Sequence, residues 1–143
     1  MATKQVTFLL VEDDEIDSKA FRRAFNELKL VNPVRTARDG IEALEILRGE
    51  NDQEQISAPY VILLDLNMPR MNGIEFLEAI RADQALKSSI VFVFTTSDSD
   101  EDRIKAYSHN VAGYIKKGSA RKTFNKAIEM LDCYWRVIEF PEN

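Results

Sequence analysis

The chain has 143 residues, of which 45% are hydrophobic and 30% are charged, the size and composition of one folded domain. Acidic residues outnumber basic ones by 24 to 19, and the net charge of −5 argues against a nucleic-acid binder, which needs a basic face. The longest apolar runs, Tyr60–Leu64 and Ile90–Phe94, hold five residues each, whereas a membrane helix needs about 20. The single cysteine, Cys133, excludes an internal disulfide and fits a reducing cytoplasm. We therefore expect one acidic cytoplasmic domain without a membrane span.

Short apolar runs alternate along the chain with longer segments of helical periodicity. The runs predict five strands, at Val6–Val11, Val34–Ala37, Tyr60–Leu64, Ile90–Phe94 and Gly113–Ile115. The third and fourth runs are continuously hydrophobic, as in strands that helices cover on both faces. This alternation predicts an α/β fold, and right-handed crossovers make a doubly wound parallel sheet the default arrangement.

Five helical patterns follow the five predicted strands. The first has its apolar residues on one face, namely Ile16, Ala20, Phe21, Ala24, Phe25 and Leu28, and its polar residues, Asp17 among them, on the other. Two shorter patterns follow, and the segment from Ser99 to Ser108 is the weakest. The last helix has a broad apolar face, and its aromatic end predicts either core packing or a self-association surface.

The ligands of a doubly wound sheet bind beyond the carboxyl ends of its strands. Residues that bear charges or hydroxyls stand at these predicted ends, namely Glu12, Asp13 and Asp14 after the first strand, Asp65 after the third, Thr95 after the fourth and Lys117 after the fifth. We therefore expect residues that are far apart in the sequence to converge at one edge of the sheet.

The chemistry of this predicted edge points to a metal and a phosphoryl group. Carboxylates in contact repel one another by about 1–4 kcal/mol per pair in a wet site, so their clustering favours a bound cation. Oxygen ligands without histidine or cysteine suit Mg²⁺. Asp65 is a candidate nucleophile that would form an aspartyl phosphate, and Lys117 and Thr95 are candidate partners of the phosphoryl oxygens.

Four sequence motifs identify a family at this point. The chain reads FLLVEDD at 8–14, LDLNMPRMNG at 64–73, VFTTS at 93–97 and GYIKKG at 113–118. In this order and at these intervals the motifs resemble the receiver domain of two-component response regulators over nearly the whole chain. The resemblance implies a flavodoxin-like (βα)5 fold with a five-stranded parallel sheet in the order 2-1-3-4-5.

The resemblance also implies a set of metal ligands. Asp13 would hold Mg²⁺ (or Mn²⁺) directly, and Glu12 would hold it through water. Asp65 would contribute a carboxylate oxygen, and Asn67 its backbone carbonyl. Asp14 is interpreted instead as a charge that favours the start of the first helix.

The remaining site roles implied by the resemblance concern phosphoryl transfer and switching. Asp65 would accept the phosphoryl group, and Lys117 would bind one of its oxygens. Thr95 would be the switch hydroxyl, and Tyr114 the aromatic side chain that turns inward on activation. The protein would then be a phosphorylation switch that assists its own phosphorylation and dephosphorylation, rather than an enzyme that turns over a substrate.

The same resemblance predicts the partners and the domain organisation. Residues 1–143 would form a single receiver domain with an extended C-terminal helix and no output domain, acting in a histidine-to-aspartate phosphorelay. The phosphoryl donor would be a sensor histidine kinase or a histidine phosphotransfer protein. The face formed by helix 4, strand 5 and helix 5 would bind a downstream protein, and helix 5 with the C-terminal extension would form a homodimer.

One departure from the family pattern points to a narrower group. The family has proline with a cis bond after the lysine of the last motif, whereas Gly118 follows Lys117 here, and a non-proline cis bond costs about 3–4 kcal/mol. Together with the long polar stretch before the third strand and the aromatic C-terminal end, this looks like the single-domain regulators of bacterial phytochrome-type histidine kinases.

Three alternative functions remain open at this point. A Mg²⁺-dependent phosphatase with an aspartate nucleophile would carry a second acid two positions on, where this chain has Asn67, which cannot transfer protons in that role. A flavodoxin-like cofactor carrier would need a neutral phosphate loop after the first strand, where this chain has Glu12 and Asp13. A pseudo-receiver that docks without phosphorylation would not need the residues of the phosphoryl site, namely Asp65, Thr95 and Lys117, all of which are present.

Overall fold

The computed structural model describes residues 5–117, 121–137 and 139–140, without the side chains of 121–124. These residues form an alternating series of strands and helices, β1 (Thr7–Val11), α1 (Glu15–Glu27), β2 (Val34–Ala37), α2 (Gly40–Arg48), β3 (Tyr60–Leu64), α3 (Gly73–Ala82), β4 (Ile90–Thr95), α4 (Asp100–Ser108), β5 (Gly113–Lys116) and α5 (Arg121–Val137). The predicted alternation is confirmed, and the predicted strand ends are correct to within one residue.

The strands form one parallel sheet in the order β2-β1-β3-β4-β5. This is the doubly wound, flavodoxin-like arrangement that the resemblance implied. In the register of the sheet, Val11 lies beside Leu64, and Val93 lies beside both Leu64 and Tyr114. The carboxyl ends of β1, β3, β4 and β5 therefore lie along the same edge.

Two apolar clusters cover the two faces of the sheet. Leu9 and Val11 belong to the cluster that packs under α2 and α3, and Phe8 and Leu10 belong to the cluster under α1 and α5. This division follows from the alternation of side chains along a strand. Both clusters are closed to solvent, so the sheet is a rigid base for the side chains at its edge.

The helices α1 to α4 begin at side chains that accept hydrogen bonds from first-turn backbone N–H groups. These N-cap residues are Asp14, Asp39, Asn72 and Ser99, all of residue types that favour this position. The interpretation of Asp14 as a residue that favours the start of the first helix is therefore correct. The caps fix the points at which the helices leave the carboxyl edge.

One side chain of the first helix lies elsewhere than predicted. Ile16 was assigned to the buried face of α1, but it is 77% exposed, whereas Phe21 and Phe25 are buried as expected. The first turn of α1 lies beside the carboxyl edge of the sheet, where Asp17 reaches Lys117. It does not lie over the sheet, so no core surrounds Ile16.

The aromatic end of the chain packs on the domain itself. Tyr134, Trp135 and Phe140 are partly buried against the cluster under α1 and α5, and Cys133 is an exposed free thiol. None of the helices in the described part of the chain combines the length and hydropathy that a membrane crossing requires.

Candidate functional site

Backbone hydrogen bonds continue the strand ladders and thereby place the site residues. The Asp65 N–H donates to the Val11 carbonyl at 3.0 Å, and the Lys117 N–H donates to the Thr95 carbonyl at 2.7 Å. Each of these residues stands directly beyond a paired strand, so its side chain leaves the sheet at the common edge. The predicted convergence of residues far apart in sequence is confirmed.

Three carboxylates lie together at this edge. The groups of Glu12, Asp13 and Asp65 each offer an oxygen within 4.8 Å of the other two. Glu12 is 3% exposed and Asp65 is 8% exposed, whereas Asp13 is open to solvent. Hard oxygen donors with one open side fit a divalent cation that keeps part of its water shell.

The ammonium of Lys117 is buried among carboxylates, with 7% of its side chain exposed. It donates hydrogen bonds to Glu12 and to Asp17 Oδ2, the latter at 2.8 Å, and lies 3.7 Å from Asp65 Oδ2. Burial alone would lower the pKa of Lys117, but these hydrogen bonds outweigh it and raise the pKa above the ordinary lysine value. Lys117 therefore stays charged and neutralises part of the acidic cluster.

Glu12 is the carboxylate whose ionisation the site changes most clearly. Burial raises its pKa to about 7, and the neighbouring Asp65 carboxylate adds to the rise, while Lys117 opposes it. A proton and a cation compete for such a carboxylate, because a metal binds only the ionised form. Glu12 is thus an acidic side chain that needs a positive charge beyond Lys117 to be fully ionised at neutral pH.

The hydroxyl of Thr95 and the ring of Tyr114 are connected through Ser97. Thr95 is fully buried, and its Oγ1 accepts a hydrogen bond from the Ser97 N–H at 3.3 Å. The Tyr114 hydroxyl donates to the Ser97 carbonyl at 3.1 Å, with its ring packed against the apolar core. One residue, Ser97, therefore links the Thr95 hydroxyl to the Tyr114 side chain of β5.

The loop between β3 and α3 is held against the start of α2. The guanidinium of Arg70 makes two hydrogen bonds to Asp39, at 2.7 and 3.1 Å, and the Gly40 N–H donates to the Met71 carbonyl at 3.1 Å. Burial opposes ionisation of Asp39, but the Arg70 contact prevails and lowers its pKa. Asn67, the predicted carbonyl ligand, lies exposed in this loop.

A close contact at Gly73 also restricts this loop. A Cβ atom at Gly73 would lie 2.5 Å from the Asp65 carbonyl oxygen and 2.7 Å from the Leu66 Cα, and backbone atoms cannot yield as a side chain can. We expect Gly73→Ala to lower the free energy of unfolding by about 1–3 kcal/mol, the usual cost of overpacking. Urea denaturation at constant pH measures this loss.

Gly40→Ala is the matched control for this substitution. Gly40 is also the first residue of a helix, but its added Cβ would meet the flexible side chain of Met71, with the nearest atom at 2.6 Å. We expect a smaller loss, because Met71 can change rotamer. Equal losses in the two variants would contradict the assignment of a rigid contact at Gly73.

Two contacts of the site were absent from the sequence predictions. Asp17, assigned to the outer polar face of α1, pairs with Lys117, and Arg70 pairs with Asp39. No motif spacing signals either pair. The cis or trans geometry of the Lys117–Gly118 bond lies outside the described residues, because Gly118 is one of those without description.

Comparisons with known proteins agree with this arrangement. The model of the response regulator receiver domain family matches residues 8–129. The chain is 35% identical over 127 residues to the probable methanogenesis regulatory protein FilR2 of Methanothrix harundinacea, covering 89% of this chain and 81% of that protein. It is 32% identical over 127 residues to the response regulator Rcp1 of Synechocystis sp., covering 89% and 86%.

Solved structures extend the likeness to nearly the full chain. The phosphorylated cyanobacterial phytochrome response regulator RcpA superposes with a TM-score of 0.88 at 31% identity, covering 97% of this chain and all (100%) of that one. The Mn²⁺-bound form of Rcp1 gives a TM-score of 0.84 at 31% identity, covering 95% and 99%. With the family match over most of its length and the same fold throughout, the chain belongs to the response regulator receiver domain family.

Proposed function

We propose that the protein is a phosphorylation switch of a histidine-to-aspartate phosphorelay, with Asp65 as the phosphoacceptor. The observation that carries this proposal is the meeting of one buried carboxylate, one buried ammonium and one buried hydroxyl at a single sheet edge. Asp65, Lys117 and Thr95 supply these groups. The phosphorylated state of the relative RcpA is consistent with the same chemistry.

The transfer step follows from the groups at this edge. An oxygen of Asp65 forms a P–O bond while the P–N bond of a phosphohistidine breaks, and the electron pair of the broken bond goes to the imidazole nitrogen. The Lys117 ammonium offsets the charge of one phosphoryl oxygen. The Thr95 hydroxyl donates a hydrogen bond to another.

A divalent cation fits the carboxylates of Glu12, Asp13 and Asp65, with the carbonyl of Asn67 as a further proposed ligand. When bound, Mg²⁺ would offset the negative charge of these groups and of the phosphoryl oxygens. The Mn²⁺-bound structure of Rcp1 supports a divalent site in this family, and the choice of Mg²⁺ is our proposal.

The output of the switch is binding rather than turnover. Thr95 would move toward the phosphoryl group, and through Ser97 this movement would reach Tyr114 and the face formed by α4, β5 and α5. On this face Ile104 is 69% exposed and Tyr107 is 50% exposed. These side chains suit contact with a downstream protein.

The proposed phosphoryl donor is a sensor histidine kinase or a histidine phosphotransfer protein in the cytoplasm. Several structural relatives have names that refer to phytochrome, including RcpA and the bacteriophytochrome response regulator RtBRR, which is 37% identical. On this likeness we place the protein with the regulators of phytochrome-type kinases. The exposed free thiol of Cys133 is consistent with a reducing compartment.

Homodimer formation through α5 and the C-terminal end is part of the same proposal. Met130 and Val137 of α5 are 43% and 81% exposed, which leaves apolar area for a partner helix. Trp135 is partly buried against its own domain, so only part of its side chain would be available to such an interface.

The proposed function is tested by intact mass after incubation with acetyl phosphate, with Mg²⁺ or with EDTA. We expect a gain of one phosphoryl group that depends on Mg²⁺. The reason is that the carboxylates of Glu12, Asp13 and Asp65 lie together and would repel the negative phosphoryl group unless a cation offset their charge. The absence of any gain, together with no response to the stable phosphoryl mimic beryllofluoride, would instead favour a module that docks without phosphorylation.

A further inference from the structure

Asp17 contacts the lysine of the site without belonging to the carboxylate cluster that fits a cation. Its Oδ2 accepts a hydrogen bond from Lys117 Nζ at 2.8 Å. The cluster of possible metal ligands, by contrast, comprises Glu12, Asp13 and Asp65. The contact of Asp17 is therefore with the phosphate-binding group and not with the metal ligands.

The carboxylate of Asp17 is held by a helix and not by a loop. Asp17 lies in the first turn of α1, where its own N–H donates to the N-cap side chain of Asp14 at 3.3 Å. Phe21 and Phe25, one and two turns further on, are buried in the core. The helix therefore presents the carboxylate at a fixed distance from the edge of the sheet, with 35% of the side chain exposed.

Lys117 donates hydrogen bonds to two of its acidic neighbours but not to Asp65. An ammonium has three N–H donors, and in the described site it donates to Glu12 and to Asp17. The separation of 3.7 Å from Asp65 Oδ2 is longer than a hydrogen bond. The ammonium is thus closer to the Asp17 carboxylate than to that of the phosphoacceptor, so the oxygen of a phosphoryl group on Asp65 would share the charge of Lys117 with Asp17.

We infer that Asp17 is a positioning residue that competes with the phosphoryl group on Asp65 for the ammonium of Lys117. The inference rests on the proposed function and adds to it a residue that limits how tightly the activated state is held. Removal of the Asp17 charge would release the Lys117 ammonium toward Asp65. A phosphoryl group on Asp65 would then be attracted by the full charge of this ammonium. The contact between Asp17 and Lys117 weakens the binding of a phosphoryl group at Asp65. It also keeps the unmodified Asp65 carboxylate free of a hydrogen bond from Lys117.

A matched variant separates this contact from a general change in charge. Glu15→Gln removes the same charge from the same turn of α1, and Glu15 is exposed. Glu15 faces solvent, so its effect on an anion at Asp65 is reduced by screening. A difference between Asp17→Asn and Glu15→Gln therefore reports the contact with Lys117.

The experiment measures the affinity of the intact protein for beryllofluoride at saturating Mg²⁺ by fluorine NMR of the bound mimic. We expect Asp17→Asn to bind about two- to fivefold more tightly than the wild type, the size of one partly exposed ion pair. Asp17→Ala should change the affinity in the same direction, and Glu15→Gln should match the wild type. Saturating Mg²⁺ in every variant removes differences in cation affinity from this comparison.

The outcomes separate this inference from the proposed function. Failure of the wild type both to bind beryllofluoride and to accept a phosphoryl group would remove the proposed function itself. If the wild type binds beryllofluoride and the two variants Asp17→Asn and Glu15→Gln bind it with equal affinity, only the positioning role of Asp17 is overturned. Weaker binding by Asp17→Asn would also overturn it, because Asp17 would then support the activated state instead of competing with it.

Discussion

Replacement of Asp65 by asparagine is expected to abolish the Mg²⁺-dependent gain of a phosphoryl group from acetyl phosphate. An amide oxygen lacks the negative charge that makes the carboxylate a nucleophile. The variant should fold, because the change removes one of three clustered carboxylates and so reduces their mutual repulsion. Intact mass measures the phosphoryl gain, and urea denaturation measures the folding.

Asp14→Asn is the matched control for this variant. Asp14 is an exposed carboxylate that follows β1 at the same edge, but it caps α1 and is not part of the cation cluster. Asparagine is also a good N-cap residue, so this variant should retain both its stability and its phosphorylation. Phosphorylation of Asp65→Asn at the wild-type level would disprove the assignment of the phosphoacceptor.

Replacement of Lys117 by methionine is expected to cause the largest loss of stability among these variants. The change leaves Glu12, which is 3% exposed, without its buried cationic partner, and breaking such a pair costs about 3–5 kcal/mol. In the presence of EDTA at pH 8, we expect the free energy of unfolding to fall by about this amount. Mg²⁺ should restore part of the loss, because a cation replaces the missing charge.

The loss in this variant should depend on pH in a defined direction. A carboxyl group whose folded pKa is raised destabilises the folded state progressively as the pH rises from its unfolded pKa to its folded one. For Glu12 in the wild type this range runs from 4.5 to about 7. Lys117 lowers the pKa of Glu12, so in Lys117→Met the pH range over which Glu12 destabilises the fold extends above about 7. The free energy of unfolding that the variant loses relative to the wild type should therefore be larger at pH 8 than at pH 6.

Lys116→Met provides the control, since Lys116 is 57% exposed and pairs with the exposed Asp98. We expect little change in its stability, because exposed pairs contribute little. A second variant, Lys117→Met combined with Glu12→Gln, should recover most of the loss, since it leaves no charge on Glu12 to be compensated. A deficit that is the same at both pH values would contradict the role of Glu12.

Most of the fold was accessible from the sequence because its signals are short-range. Continuous apolar runs such as Tyr60–Leu64 mark strands that are buried on both faces, and the acidic residue Asp14 favours the start of the first helix. Parallel pairing with right-handed crossovers then brings the carboxyl ends of the strands together. The residue types directly after the strands therefore indicated the site, and the four motifs indicated the family.

The arrangement of charges within the site was not accessible in this way. Asp17 and Lys117 are 100 positions apart, and their contact depends on how α1 packs beside the end of β5. The same packing leaves Ile16 exposed although its periodicity matches the buried face. The pKa of Glu12 likewise depends on the depth of burial and on the neighbouring charges, neither of which is encoded locally.

The sequence by itself determined the order of strands and helices, the family and the identities of the residues at the carboxyl edge. These follow from periodicity, from capping chemistry and from motifs whose spacing is fixed by the backbone. Only the tertiary structure decided which carboxylates share the Lys117 ammonium and which loop Arg70 holds in place. Such pairings depend on side-chain positions set by the packing of distant elements, and distances of a few ångströms determine their electrostatic energy.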